Sequence, residues 1–137
     1  MDHDAYDWFK TGMARIGQSA ARMMPAGWTD LAVTVLVPDE GLKVFLLFYT
    51  DKSGTGWRNL QEVLRTNEDL EDAYFDFKDV IADFRELCVS EEQGWTKLTY
   101  RLSATGHFDC DLDDKPLSSV NSAMIKEETA RITKRRS

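Results

Sequence analysis

The sequence predicts an α+β domain, with a four-stranded antiparallel sheet on which an N-terminal, a central and a C-terminal helix pack. Two long segments repeat their apolar residues at three- and four-residue steps, as a helix with one buried side requires. Two further regions, 31–49 and 95–113, are rich in strand-forming residues. A tight turn divides each of these regions, and hairpins imply antiparallel pairing. At 137 residues and 42% apolar content the chain suits one domain over 1–137, which at this size buries roughly two-thirds of its unfolded surface.

The first helix is expected from about Asp4 to Met24. Tyr6, Phe9, Met13, Ile16, Ala20 and Met23 share one stripe, and Pro25 and Gly27 stop it. Two strands follow, Leu31–Val37 and Leu42–Tyr49, divided by Pro38-Asp39-Glu40-Gly41. Both are apolar at nearly every position except Thr34 and Lys43, which suits the middle of a sheet or a place under two layers. The run 50–56 is a loop, and 57–66 fits either a short strand or a helical turn.

The central helix, from about Glu68 to Val89, has the clearest period. Leu70, Tyr74, Phe77, Ile81, Phe84 and Cys88 recur at alternating four- and three-residue steps, with Ala73 and Val80 widening the stripe. Across the cylinder, at about 100° per residue, stand Asp72, Asp76, Asp79, Asp83 and Glu86. Phe75 lies beside these carboxylates, away from the stripe. Five carboxylates on one face repel one another unless a cation or partner relieves them. An aromatic among them suits an interface anchor; cover from the first helix or the C-terminal tail is the alternative.

The closing hairpin turns at Ala104-Thr105-Gly106. In its second strand Phe108, Cys110 and Leu112 alternate with Asp109, Asp111 and Asp113, so one face is apolar and the other carries a row of carboxylates. A last helix is expected from about Ser119, capped by Ser118 or Ser119 and carrying Met124, Ile125 and Ile132. It runs into a basic tail over about 126–137, where Lys134, Arg135 and Arg136 meet the negative end of the helix dipole.

The net charge of −7 argues against direct nucleic-acid binding, which needs clustered Lys and Arg. It favours a basic partner. No apolar run approaches the roughly 18 residues of a membrane span, and the acidic N-terminus lacks the pattern of a secretory signal. A cytoplasmic location is expected, with Cys88 and Cys110 as reduced, buried thiols.

Motifs for chemistry are weak. Gly17-Gln18-Ser19-Ala20-Ala21 loosely echoes a nucleophile elbow, but Ser19 falls inside a helical stripe. Gly54-Thr55-Gly56 lacks the remainder of a dinucleotide loop. The carboxylates at Asp109, Asp111, Asp113 and Asp114 lack the Gly and Glu of a calcium loop. The two histidines, His3 and His107, have no zinc-type Cys spacing. No catalytic set, cofactor or metal is expected, and the chain is not read as an enzyme.

One resemblance extends over most of the chain. It begins at Met24-Pro25-Ala26-Gly27-Trp28 and continues through the apolar strand pair and the charged helix. It closes with the Trp-Thr-x-Leu-Thr strand at Trp95–Thr99 and the Gly-x-Phe-x-x-Asp-x-Asp-Asp run at Gly106–Asp114. In this order the segments resemble the YezG-like family of bacterial immunity proteins, antidotes of polymorphic toxin systems. The chain departs from that pattern at Lys115-Pro116 and in its basic tail. The resemblance implies a cognate toxin as partner and no catalytic residues. Because a nuclease must attract phosphates, the acidic charge fits a basic nuclease toxin. Its contact surface is expected on Asp72, Phe75, Asp76, Asp79, Asp83 and Glu86, extended by Asp109, Asp111 and Asp113 if the two acidic rows share a side. The alternative readings are a small-molecule-binding domain or an adaptor subunit of a larger assembly.

Overall fold

A computed structural model describes residues 3–54 and 56–133, with side chains from residue 7 onward. Its elements are α1 (His3–Arg22), β1 (Trp28–Leu36), β2 (Val44–Asp51), β3 (Arg58–Asn59), α2 (Leu60–Leu64), α3 (Glu68–Ser90), β4 (Lys97–Ser103), β5 (Phe108–Asp113) and α4 (Ser122–Ile132). All strands pair antiparallel in the order β3-β2-β1-β4-β5. The expected α+β class holds, with five strands where the sequence suggested four.

The extra strand comes from the segment left open between strand and helix, which is both. Arg58 and Asn59 pair with Tyr49 and Phe48. Asn59 then caps α2, its side chain accepting the Gln61 N–H at 2.9 Å. One residue thus ends a strand and satisfies a free amide of the following helix.

β1 lies at the centre because its side chains are apolar in both directions. Leu31, Val33 and Val35 meet α1 and α3 on one face, while Ala32, Thr34 and Leu36 point to the other. The main core lies on the first face. Phe77, Ile81, Phe84 and Cys88 of α3 pack there with Met13, Ile16, Ala20 and Met23 of the α1 region.

Two glycines set how closely α1 approaches. A Cβ on Gly12 would stand 2.6 Å from a Phe84 ring carbon, and one on Gly17 would stand 2.9 Å from the Tyr100 hydroxyl. Mid-helix glycine costs about 0.5–1 kcal/mol relative to Ala. Here it admits a ring that would otherwise be displaced.

α4 packs on the opposite face. Lys97 Nζ lies 3.1 Å from Glu128 Oε2, and Arg101 Nη2 donates to the Ile132 carbonyl at 3.0 Å. This helix starts later than the sequence suggests, and its cap is Asn121, whose side chain accepts the Met124 N–H at 2.9 Å. Ser118 is otherwise engaged: the Asp39 and Glu40 amides donate to the carbonyls of Leu117 and Ser118 at 2.8 and 3.0 Å, holding that segment against the β1–β2 turn. Leu42, expected in a strand, sits in that turn with 88% of its surface exposed, and β2 begins two residues later. The tail residues Lys134, Arg135 and Arg136 lie outside the described residues.

Candidate functional site

α3 forms because a capped, strongly periodic sequence has one face to bury. Asn67 accepts the Leu70 N–H at 3.2 Å, and Glu68, Asp69 and Glu71 occupy the first turn, where carboxylates favour the positive end of the helix dipole. At the other end the Gln93 amide donates back to the Cys88 carbonyl at 2.7 Å, with Glu92 at φ +59° completing the turn.

The exposed side of α3 carries Asp72, Phe75, Asp76, Asp79, Asp83 and Glu86, all solvent-accessible. They are not equivalent. α1 runs alongside one flank, where Arg22 Nη2 reaches Asp76 Oδ2 at 3.2 Å and Arg15 Nη2 lies 3.9 Å from Asp83 Oδ2. Among the described residues no ion pair involves Asp72, Asp79 or Glu86. The unrelieved carboxylates therefore form the flank away from α1, and Phe75 lies beside them.

Phe75 is 50% exposed. Its ring stands 6.1 Å from that of Tyr74, and Lys78 Nζ sits 5.2 Å from the Phe75 centroid and 5.1 Å from that of Tyr74. A cation over a ring is attracted to its π face, worth about 0.5–1 kcal/mol when exposed. Lys78 thus orders the ring on its own helix and leaves the outer edge available.

The second acidic row does not join this surface. Asp109, Asp111 and Asp113 lie opposite Arg101, Thr99 and Lys97 of β4, on the sheet face that α4 packs against. α3 packs on the other face, the one to which Cys110 and Leu112 turn. The side-sharing under which the strand row would extend the helix surface is therefore absent, because period-two alternation sends the two sets to opposite faces. Lys97 turns to Glu128 rather than Asp113, and Asp113 Oδ1 instead accepts the Lys115 amide at 2.9 Å.

No catalytic arrangement accompanies these surfaces among the described residues. Ser19 is buried in α1, and His107 lies exposed next to the β4–β5 turn. Among the described residues no group of three or more His, Cys, Asp or Glu is placed to hold a metal ion. Cys88 and Cys110 are both free thiols, but only Cys88 is fully buried. Cys110 is half-buried because its strand is at the sheet edge. Burial, followed by the carboxylates of Asp111 and Asp109, pushes its thiol up to about 12. Burial likewise raises Cys88.

Two features escaped the sequence reading. The Arg15 and Arg22 contacts to α3 were signalled by a seven-residue spacing that puts both cations on one side of α1. Glu128 is 9% exposed. Its signal was the four-residue step Met124, Glu128, Ile132, which places it on the apolar stripe of α4.

These features define a small α+β domain with acidic exposed surfaces. Among its described residues no helix is long and apolar enough to cross a membrane. Residues 10–131 match the family model for YezG-like immunity proteins, and the chain belongs to that family. The family is non-catalytic, and membership implies a cognate toxin as partner. A search of curated proteins finds no match.

Proposed function

We propose that the chain neutralises a basic toxin domain, a nuclease, in the cytoplasm by binding it stoichiometrically through the outer face of α3. The observation that carries this reading is Phe75, a half-exposed aromatic beside the unpaired carboxylates Asp72 and Asp79. A nuclease presents cations to phosphates, so an acidic surface is complementary to its cleft and speeds encounter. The desolvated ring then slows departure. Asp76 and Asp83 contribute to the field while already paired to α1, so Asp72, Asp79 and Glu86 provide most of the unscreened charge.

The test is co-expression with a candidate toxin domain encoded beside this chain. Growth rescue, a one-to-one complex and loss of both in a Phe75→Ala, Asp72→Asn, Asp79→Asn variant are expected. Rescue with no detectable complex would remove stoichiometric binding as the mechanism.

A further inference from the structure

The two edges of the sheet are treated differently. At the β2 edge, β3 pairs with Phe48 and Tyr49, and Gln61 Nε2 of α2 donates to the Phe45 carbonyl at 3.1 Å. At the other edge, among the described residues no strand pairs with the outer side of β5.

The backbone direction along that edge follows from the ladder. The Ser103 amide donates to the His107 carbonyl at 2.8 Å, which makes this pair hydrogen-bonded. Alternation along the antiparallel register then makes Arg101/Asp109, Thr99/Asp111 and Lys97/Asp113 bonded pairs. The amides and carbonyls of Phe108, Cys110 and Leu112 consequently point outward. On the other side of β4 the Val37 amide donates to the Thr96 carbonyl at 2.8 Å, in phase with the same alternation.

Side chains add a second pattern. The residues with outward backbone groups place apolar side chains on the α1 face, where Phe108 is 52% exposed and stacks on Tyr100 at 5.8 Å. An apolar groove of about 410 Å³ adjoins Phe108, lined by Ala14, Gly17, Trp28 and Tyr100. The intervening residues, Asp109, Asp111 and Asp113, put carboxylates on the α4 face. Among the described residues none of the three forms an ion pair.

We infer that β5 is a docking edge for an extended cationic segment of the partner, which adds to the sheet as a sixth strand. Its basic side chains would stand beside Asp109, Asp111 and Asp113, and its alternate apolar ones beside Phe108. Charge selects this occupant. A second copy of β5 would set carboxylates against carboxylates, and like charges directly opposite destabilise a strand pair. A basic strand meets the opposite field and satisfies the open backbone groups. Because this edge row and the α3 face lie on opposite sides of the sheet, the occupant is an extended segment rather than the compact body placed on α3. The inference rests on the proposed basic partner but not on the α3 contact.

The test uses the full chain and a synthetic peptide of alternating Arg and Val, six residues long. Amide hydrogen exchange is read by NMR with and without the peptide. Protection rising at least tenfold at Phe108, Cys110 and Leu112 is expected, and little change at Asp109 and Asp111, whose amides already face β4. A peptide N-methylated on the amides that face β5 should bind at least tenfold more weakly. Equal binding by the methylated peptide, or protection confined to α3, would overturn the inference. So would equal binding of an alternating Glu and Val peptide. A chain ending at Thr133 separates one further occupant: if removing Lys134, Arg135 and Arg136 exposes the three amides in the absence of peptide, the chain's own tail holds the edge and the partner-strand inference fails. Growth rescue by the chain carrying Asp109→Asn and Asp111→Asn reports separately on the toxin-neutralising role. Rescue retained with peptide binding lost leaves that role standing and shows that the edge is not needed for it.

Discussion

Arg22 Nη2 lies 3.2 Å from Asp76 Oδ2, tying the last turn of α1 to the near flank of the acidic face of α3. Both side chains are more than half exposed, so solvent screens the pair and its share of stability is below about 1 kcal/mol. Its larger consequence is to divide the acidic face. One flank is partly neutralised by α1, and the other keeps its full charge.

Charge reduction should therefore act unevenly. Asp72→Asn with Asp79→Asn is expected to lower the association rate with the toxin and flatten its salt dependence more than Asp76→Asn with Asp83→Asn. Stopped-flow binding at two ionic strengths distinguishes them. Equal effects of the two pairs would show that α1 does not modulate the field.

Phe75→Ala should cost folding stability about 1 kcal/mol, from the buried half of the ring and its contact with Lys78. Dissociation of the complex should also accelerate, by a factor matching about 2 kcal/mol or more if the ring is an anchor. Urea denaturation and off-rate measurement on the same variant supply the two halves.

Gly12→Ala should invert the usual helix preference. In a helix open to solvent the change would stabilise by about 0.5–1 kcal/mol. Here the new methyl meets the Phe84 ring at 2.6 Å, so a net loss of about 1–3 kcal/mol is expected from overpacking. Chemical denaturation measures it; a stabilised variant would mean that the ring moves aside freely.

Glu128→Ala should loosen α4. The substitution leaves Lys97 without its carboxylate at a position where its side chain is only 19% exposed, and it removes a helix-to-sheet contact. A loss of about 1–3 kcal/mol is expected, with hydrogen exchange in α4 rising more than in α3.

A phenol and a thiol supply a pH test. Tyr100 and Cys110 are both pushed up to about 12, Tyr100 mainly by burial and secondarily by Cys110. The folded chain thus retains protons that the unfolded chain releases. The associated stability is present in full below the unfolded values of 9.0 and 10.0 and is lost as pH rises towards about 12. Denaturation midpoints should fall across that window. Alkylation of Cys110 in the folded protein should remain slow at pH 8, because the thiolate is the reactive form, and become rapid in urea.

Much of this was legible in residue order. The α3 period separated a buried stripe from an acidic face because a helix repeats every 3.6 residues, so Phe77 and Asp79 cannot share a side. Alternation in β5 likewise separated Cys110 from Asp109 and Asp111. Less legible were features made by residues distant in sequence. The fifth strand consists of Arg58 and Asn59 alone, too short to carry a period. The α4 cap shifted to Asn121 because residues 117 and 118 pair with the turn at Asp39 and Glu40. The family was recognisable from the order of segments, of which the family model matches residues 10–131.

By itself the sequence determined the buried stripes of α1 and α3, the antiparallel class and the acidic character of two surfaces. Local periodicity and charge are properties of neighbours along the chain, and they survive any arrangement of the elements. Only the tertiary structure decided that the two acidic rows face opposite sides, that Arg15 and Arg22 neutralise one flank of α3, and that β5 rather than β2 is the open edge. Each depends on which element lies beside which. That choice is made by packing between residues far apart in the chain, such as Gly12 against Phe84 and Lys97 against Glu128.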